Sequence, residues 1–220
     1  MYKLEDLVKA IESEAKREEF PIDVEVYTNV GKNHLEPILF AGNLESEICF
    51  FARDLGKDEV KASQPLYGSA GKLVRKGVYK RFFGEIVPND ESLQKITQKV
   101  LLTNTVPYKP PGNKAYSTQV KERFRPFIAQ FLIYHWKGSR IITLGAEALE
   151  WFSVYDKEKV KTFSKKEERF KESFELCMEI IDELGQKHSK NVIIMPLPHP
   201  SPLNQKYYSL FPSMLQERLA

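Results

Sequence analysis

Apolar side chains recur along this chain at two different periods, and the switching between them predicts the order of elements. Leu4, Leu7, Val8, Ile11 and Ala15 return every three to four residues among lysines and glutamates, which predicts an amphipathic helix ending before Pro21. Asp23 to Phe40 then reads as extended or loop. Glu47 to Ala52 is a short continuous apolar run, the pattern of a buried strand, and it opens directly into Asp54, Leu55 and Gly56. The same grammar returns three times. Lys99–Thr103 opens into Asn104 and the prolines 107, 110 and 111; Arg140–Leu144 opens into Gly145 and a helix; Asn191–Met195 opens into Pro198-His199-Pro200-Ser201-Pro202-Leu203. Helical patterns lie between: Val120, Phe124, Phe127, Phe131 and Leu132, then Phe170, Phe174, Met178, Ile181 and Leu184. Four buried strands separated by helices predict an α/β fold whose parallel sheet is covered on both faces. Right-handed crossovers place the loops that follow such strands along one edge, so Asp54, Asn104 and His199 are expected to meet there.

Composition narrows the classes without choosing among them. The 220 residues fit one domain spanning 1–220, and 42% apolar residues supply a substantial core. Lys and Arg number 33 against 30 Asp and Glu, so total charge gives no argument for nucleic acid and only local clustering would. Two cysteines, Cys49 and Cys177, are too few for a zinc or iron-sulfur site and sit in apolar sequence, which predicts buried thiols. The charged N-terminus has no secretory h-region and no apolar run reaches membrane-spanning length, which predicts a soluble cytoplasmic protein. The charged stretch from Lys157 to Lys171 reads as a solvated helix start.

Several residue types carry candidate chemistry. Prolines on both sides fix the backbone around His199, and Leu203 follows it as a bare apolar side chain. The Gly-rich run Pro65-Leu66-Tyr67-Gly68-Ser69-Ala70-Gly71 and the loop at Pro110-Pro111-Gly112 suit backbone N–H contacts to phosphate. Lys72, Arg75, Lys76, Lys80 and Arg81 follow at helical spacing and read either as a DNA-backbone surface or as a solvated helix face. Structural roles stand beside the chemical ones: Asp54 as a helix N-cap, His199 as a cap on a carbonyl, Asn104 as a partner for loop backbone. His34, His135 and His188 are scattered and receive no role.

In order and spacing these residues resemble the uracil-DNA glycosylase superfamily from about Glu47 to Leu203. Ala52-Arg53-Asp54-Leu55-Gly56, Glu59 and the Pro65–Gly71 run resemble the first motif and Gly-rich loop of the iron-sulfur branch. Thr103-Asn104-Thr105-Val106 with Pro110-Pro111-Gly112-Asn113 resembles its second motif, and His199-Pro200-Ser201-Pro202-Leu203 the closing motif of the best-known uracil-excising branch. The resemblance implies a three-layer α/β/α fold around a four-stranded parallel sheet. It implies a monomeric, monofunctional DNA glycosylase that needs no cofactor or metal and acts on DNA containing uracil or another damaged base. Asp54 and His199 are then catalytic; Asn104, Arg53, Leu66 and Gly56 bind the base; Gly68, Ser69, Pro110, Pro111, Ser201 and Leu203 contact DNA.

The chain also departs from those branches. It has two cysteines where the iron-sulfur branch has four. Leu66 stands where that branch has a stacking aromatic, leaving Phe50, Phe51 or Tyr67 to compensate. Gly56 stands at the methyl-blocking tyrosine of the uracil-excising branch, and Arg53 at a glutamate of the iron-sulfur branch. A pocket opened in this way also suits a 5-substituted uracil or hypoxanthine, and a further reading is a DNA- or partner-binding module with weakened chemistry. No G-x-S-x-G, Walker or dinucleotide motif supports an unrelated hydrolase or nucleotide-binding protein.

Overall fold

The computed structural model describes residues 3–112, 114–182 and 184–220, and Asn113, quoted above with the second motif, lies outside them. Its strands are Phe40–Gly42 (β1), Ile48–Ala52 (β2), Leu101–Asn104 (β3), Arg140–Leu144 (β4), Phe174–Ile181 (β5) and Lys187–Leu197 (β6). They form one six-stranded sheet in the order β1-β3-β2-β4-β6-β5. The four strands read from the sequence, β2, β3, β4 and β6, run parallel at its centre. Antiparallel β1 and β5 extend it at either edge, so the sheet is mixed rather than four-stranded and parallel throughout.

Strand β5 corrects the helix expected through Phe174, Met178 and Ile181. Side chains four residues apart share one side of a strand as well as one face of a helix, so that spacing fits both. The residues between decide: Leu176 and Met178 are buried while Glu175, Cys177 and Glu179 are exposed, a period of two. Cys177 therefore lies on an exposed edge rather than in the core. Cys49 is buried as expected, and burial pushes its thiol pKa up.

The helices are Leu4–Arg17 (α1), Val24–Asn29 (α2), Lys57–Ala62 (α3), Ser69–Phe83 (α4), Thr118–Gln130 (α5), Ala146–Glu150 (α6), Lys157–Ser164 (α7), Gln205–Tyr208 (α8) and Phe211–Leu219 (α9). Alternation along β2 fixes the layers. Cys49 and Phe51 face a core built with α1, α5, α6 and α7, whereas Ile48, Phe50 and Ala52 face a core built with α4 and α9. An all-apolar strand needs cover on both sides, and here it has it. Six residues are too few to register a helical period, so α2 escaped the sequence reading; its buried Tyr27 packs with Ile38, Leu55 and Val60 in a third, smaller cluster.

Numbered among themselves in chain order, the parallel strands run 2-1-3-4. Crossovers depart in opposite directions from β2 and β4, and a crevice opens between their carboxyl ends. Ala52 pairs with Asn104, and Leu144 with Leu197. Asp54 and His199 thus each lie two residues past a strand on one edge of the sheet, and Asn104 ends its own.

Candidate functional site

Asp54, Asn104 and His199 line a single cleft of about 630 Å³ at that edge. Arg53, Gly56, Leu66, Gly68, Ser69, Pro110, Ser201 and Leu203 line it with them. Of the residues singled out in the sequence Pro111 turns away, into a separate cleft of about 870 Å³ between α1 and α5. That larger cleft contains none of the three polar residues, and two of its cations, Arg17 and Arg123, are engaged by Glu14.

The polar groups of the smaller cleft are left open. Asn104 is 2% exposed and its Oδ1 has no hydrogen-bond partner. The Asp54 side chain is 7% exposed and neither carboxylate oxygen has one. Leaving a buried acceptor unpaired costs about 1–3 kcal/mol, so this edge of the sheet gives up stability. Asp54 does not cap the helix that follows it. Burial pushes its pKa up; Lys121, Arg53 and an approaching Tyr116 N–H that closes no hydrogen bond act in the opposite direction, and Glu147 reinforces the rise.

His199 is half-buried, and its pKa is lowered by burial and by the Arg53 charge, against a smaller opposing effect of Glu147. The imidazole is therefore neutral at pH 7. Gly145 holds it from behind: with φ of +92° and an added Cβ only 3.1 Å from the His199 Cβ, this position has neither the backbone nor the room for another residue.

Glu59 joins the first loop to the Gly-rich one. Its carboxylate accepts from the N–H groups of Gly56 at 3.0 Å, Tyr67 at 2.8 Å and Gly68 at 2.7 Å. The Gly68 N–H, expected to face a phosphate, is thus already taken. Leu66 adopts φ of +54°, a strained conformation for a branched residue. Arg75 holds it there by donating to the carbonyls of Leu66 at 2.7 Å and Pro65 at 3.2 Å, and a Cβ at Gly71 would overlap the Leu66 carbonyl.

Arg75 is 2% exposed, so the basic run is not one DNA-facing surface. Lys72 pairs with Asp90, Lys80 pairs with Glu85 and Arg81 donates to the Leu219 carbonyl. Phe50 and Phe51 are core residues, and Tyr67 packs on Arg75 outside the cleft. No Phe, Tyr or Trp lines the cleft among the described residues, and its wall at Leu66 is aliphatic.

Sequence reasoning missed three contributors. Asp23 and Lys109 line the cleft as a pair at 2.6 Å, and Lys109 Nζ also donates to the carbonyls of Pro110 and Gly112 at 2.9 Å each, which sets the shape of the Pro-rich loop. The third is Glu147, three residues past β4, which binds Arg53 and Lys121. The rule that found Asp54, Asn104 and His199, a polar residue just after a parallel strand, finds Glu147 when applied to β4. Among the described residues no group of three or more His, Cys, Asp or Glu is arranged to hold a metal.

Fold and cleft together define an α/β/α protein with a polar cleft at its switch-point crevice. The chain belongs to the Uracil DNA glycosylase superfamily, whose sequence profile matches residues 40–220. Members of this superfamily are DNA glycosylases, hydrolases that act on DNA. No curated protein sequence matches the chain. The match begins at Phe40, so α1, α2 and Asp23 precede it. No helix among the described residues is long and apolar enough to cross a membrane.

Proposed function

We propose that this protein is a monofunctional DNA glycosylase that hydrolyses the bond between deoxyribose and uracil, leaving an abasic site. The observation that carries this reading is the open state of the cleft: a buried carboxylate and a buried carboxamide with unpaired acceptors, beside a neutral imidazole. A base within the duplex is inaccessible, so the nucleotide must first be rotated out, at a cost of a few kcal/mol. Leu203, 92% exposed on its proline-flanked loop, suits the apolar wedge that fills the vacated stack.

Each open group then has a partner on the extruded nucleotide. Asn104 Oδ1 accepts from uracil N3–H while its amide donates to O4; cytosine presents no donor at N3. As the C1′–N1 bond breaks, its electron pair leaves with the base and negative charge gathers at O2, where neutral His199 donates a hydrogen bond. Ionised Asp54 faces the sugar cation and holds water at C1′. The new C1′–O bond forms from that water, and Asp54 receives its proton.

The aliphatic wall at Leu66 and the missing side chain at Gly56 favour a second reading, release of 5-substituted uracils, because no ring stacks on the base face and no side chain at Gly56 fills the space beside C5. Glu59 limits the opening at Gly56, where an added Cβ would lie 2.6 Å from Glu59 Oε2. The deciding experiment is incubation with end-labelled oligonucleotides carrying uracil, 5-hydroxymethyluracil, hypoxanthine, xanthine or thymine opposite guanine, followed by alkali. Strand breaks at uracil only after alkali support the reading. Binding without breaks at any base overturns it in favour of a binding module.

A further inference from the structure

Across the crevice between β2 and β4, Glu147 divides its two carboxylate oxygens between two cations. Arg53 Nη1 lies 2.9 Å from Oε1, and Lys121 Nζ lies 2.6 Å from Oε2. The three residues come from separate elements: the loop after β2, helix α5 and helix α6. The same two cations act on Asp54. Arg53 Nε stands 3.8 Å from Asp54 Oδ2, too far to hydrogen-bond, and Lys121 acts through space. Two positive groups therefore flank a buried carboxylate and neither closes on it. Without a competitor, closure is the favoured arrangement for a charge so far from water.

We propose that Glu147 is a positioning residue that holds the Arg53 and Lys121 charges beside Asp54 while keeping both from hydrogen-bonding to it, so that its lone pairs stay available to water. The proposal rests on the glycosylase reading for the role of that water; the charge arrangement does not. An ion pair closed on Asp54 would occupy its lone pairs and make it a weaker base. Cations removed altogether would leave burial opposed only by the Tyr116 N–H and favour the protonated acid. Holding them by a second carboxylate avoids both outcomes. The charged groups facing Asp54 are Arg53 from its own loop, Lys121 from α5 and Glu147 from α6, with the Tyr116 N–H beside them; those facing His199 are Arg53 and Glu147.

The test compares Glu147→Gln, Lys121→Met and the double variant, with two readouts. The first is the titration of the Asp54 carboxyl followed by NMR without DNA. The second is single-turnover release of uracil at saturating DNA. In Glu147→Gln the freed cations close on Asp54, lowering its midpoint by about one pH unit and slowing release about tenfold with DNA binding unchanged. Lys121→Met alone raises the midpoint. Adding Lys121→Met to Glu147→Gln leaves Arg53 as the one freed cation and so restores part of both losses, a rescue that a merely structural role does not produce.

An Asp54 midpoint unmoved by Glu147→Gln overturns the proposal, as does a double variant slower than Glu147→Gln. If Glu147→Gln does not fold, Lys121→Met decides through the direction of its titration shift. Wild-type protein that releases no base defeats the glycosylase reading alone, because the DNA-free titration still judges Glu147.

Discussion

Two carboxylates in this protein each stand near two cations and are mostly withdrawn from water, yet they behave in opposite ways. Glu14, on α1, is closed upon: Arg17 donates to it at 2.8 and 2.7 Å and Arg123 at 2.6 Å, and its pKa falls to about 2. Asp54, in the cleft, has cations near it but no hydrogen bond, and its pKa rises. The side chains are 15% and 7% exposed respectively, so depth alone does not separate them. What differs is how closely another carboxylate holds the cations: Glu18 reaches Arg17 only at 3.6 Å, whereas Glu147 binds Arg53 at 2.9 Å and Lys121 at 2.6 Å. Glu14 fastens α1 to α5, and its hydrogen-bonding capacity is used up in doing so. Asp54 keeps that capacity unused.

Exchanging charge for amide at both positions breaks or sharpens this contrast. Asp54→Asn is expected to slow single-turnover release of the base by at least about 100-fold with little change in DNA binding. It should also raise the melting temperature, because a buried carboxylate without partners is removed. Glu14→Gln should do the reverse: release within about twofold of wild type, and stability lower by about 2 kcal/mol in denaturant titration, from lost charge-assisted hydrogen bonds. A stability loss in Asp54→Asn, or an activity loss in Glu14→Gln, would erase the distinction.

Acid separates the two sites next. In the proposed reaction release needs ionised Asp54 and neutral His199, so it is expected to fall as pH drops through the Asp54 midpoint, which burial raises above the ordinary aspartate value. The lowered His199 value extends the neutral ring to lower pH than an ordinary imidazole would allow. Glu14 contributes stability that is fully present above its unfolded value of 4.5 and is lost as pH falls through about 2. Activity should therefore disappear at a pH where the Glu14 seam is still intact, measurable as a rate profile against a circular-dichroism melt series. Coincident losses would mean that unfolding, not protonation of the cleft, sets the acid limit.

The smallest expected effect belongs to Glu59, a carboxylate intermediate between the two. It is fully engaged, like Glu14, but its partners are the loop amides that shape the cleft. Glu59→Gln should lower both stability and release, each by about 1 kcal/mol, since an amide accepts through only one of its two heads. A loss confined to stability would place Glu59 with Glu14.

The sequence made the cleft legible because a parallel sheet turns position along the chain into position in space. Four apolar runs, three followed at once by a polar or glycine residue and the fourth by the proline-flanked His199, put Asp54, Asn104 and His199 on one edge, where the register places them. What stayed hidden depends on partners that spacing does not encode. Arg75 reads as one more surface cation until the Leu66 and Pro65 carbonyls are seen around it. Asp23 and Lys109 are 86 positions apart and meet only in the folded chain. In β5 the even spacing of Phe174 and Met178 satisfied two periods, and only the exposed residues between resolved it.

The Asp23–Lys109 pair also bears on modularity. The superfamily match starts at Phe40, but the wall of the cleft does not: its loop is fixed by a lysine whose counterion comes from the preceding segment. A fragment cut at the family boundary would strand the Lys109 ammonium, 4% exposed, without its carboxylate, a loss of about 3–5 kcal/mol for a broken buried pair. It would also uncover the core residues that Leu7 and Ile11 shield. The folding unit of this protein is thus larger than the span that matches the superfamily, and grafting the motif-bearing span alone would carry over Asp54, Asn104 and His199 without the frame that shapes their cleft.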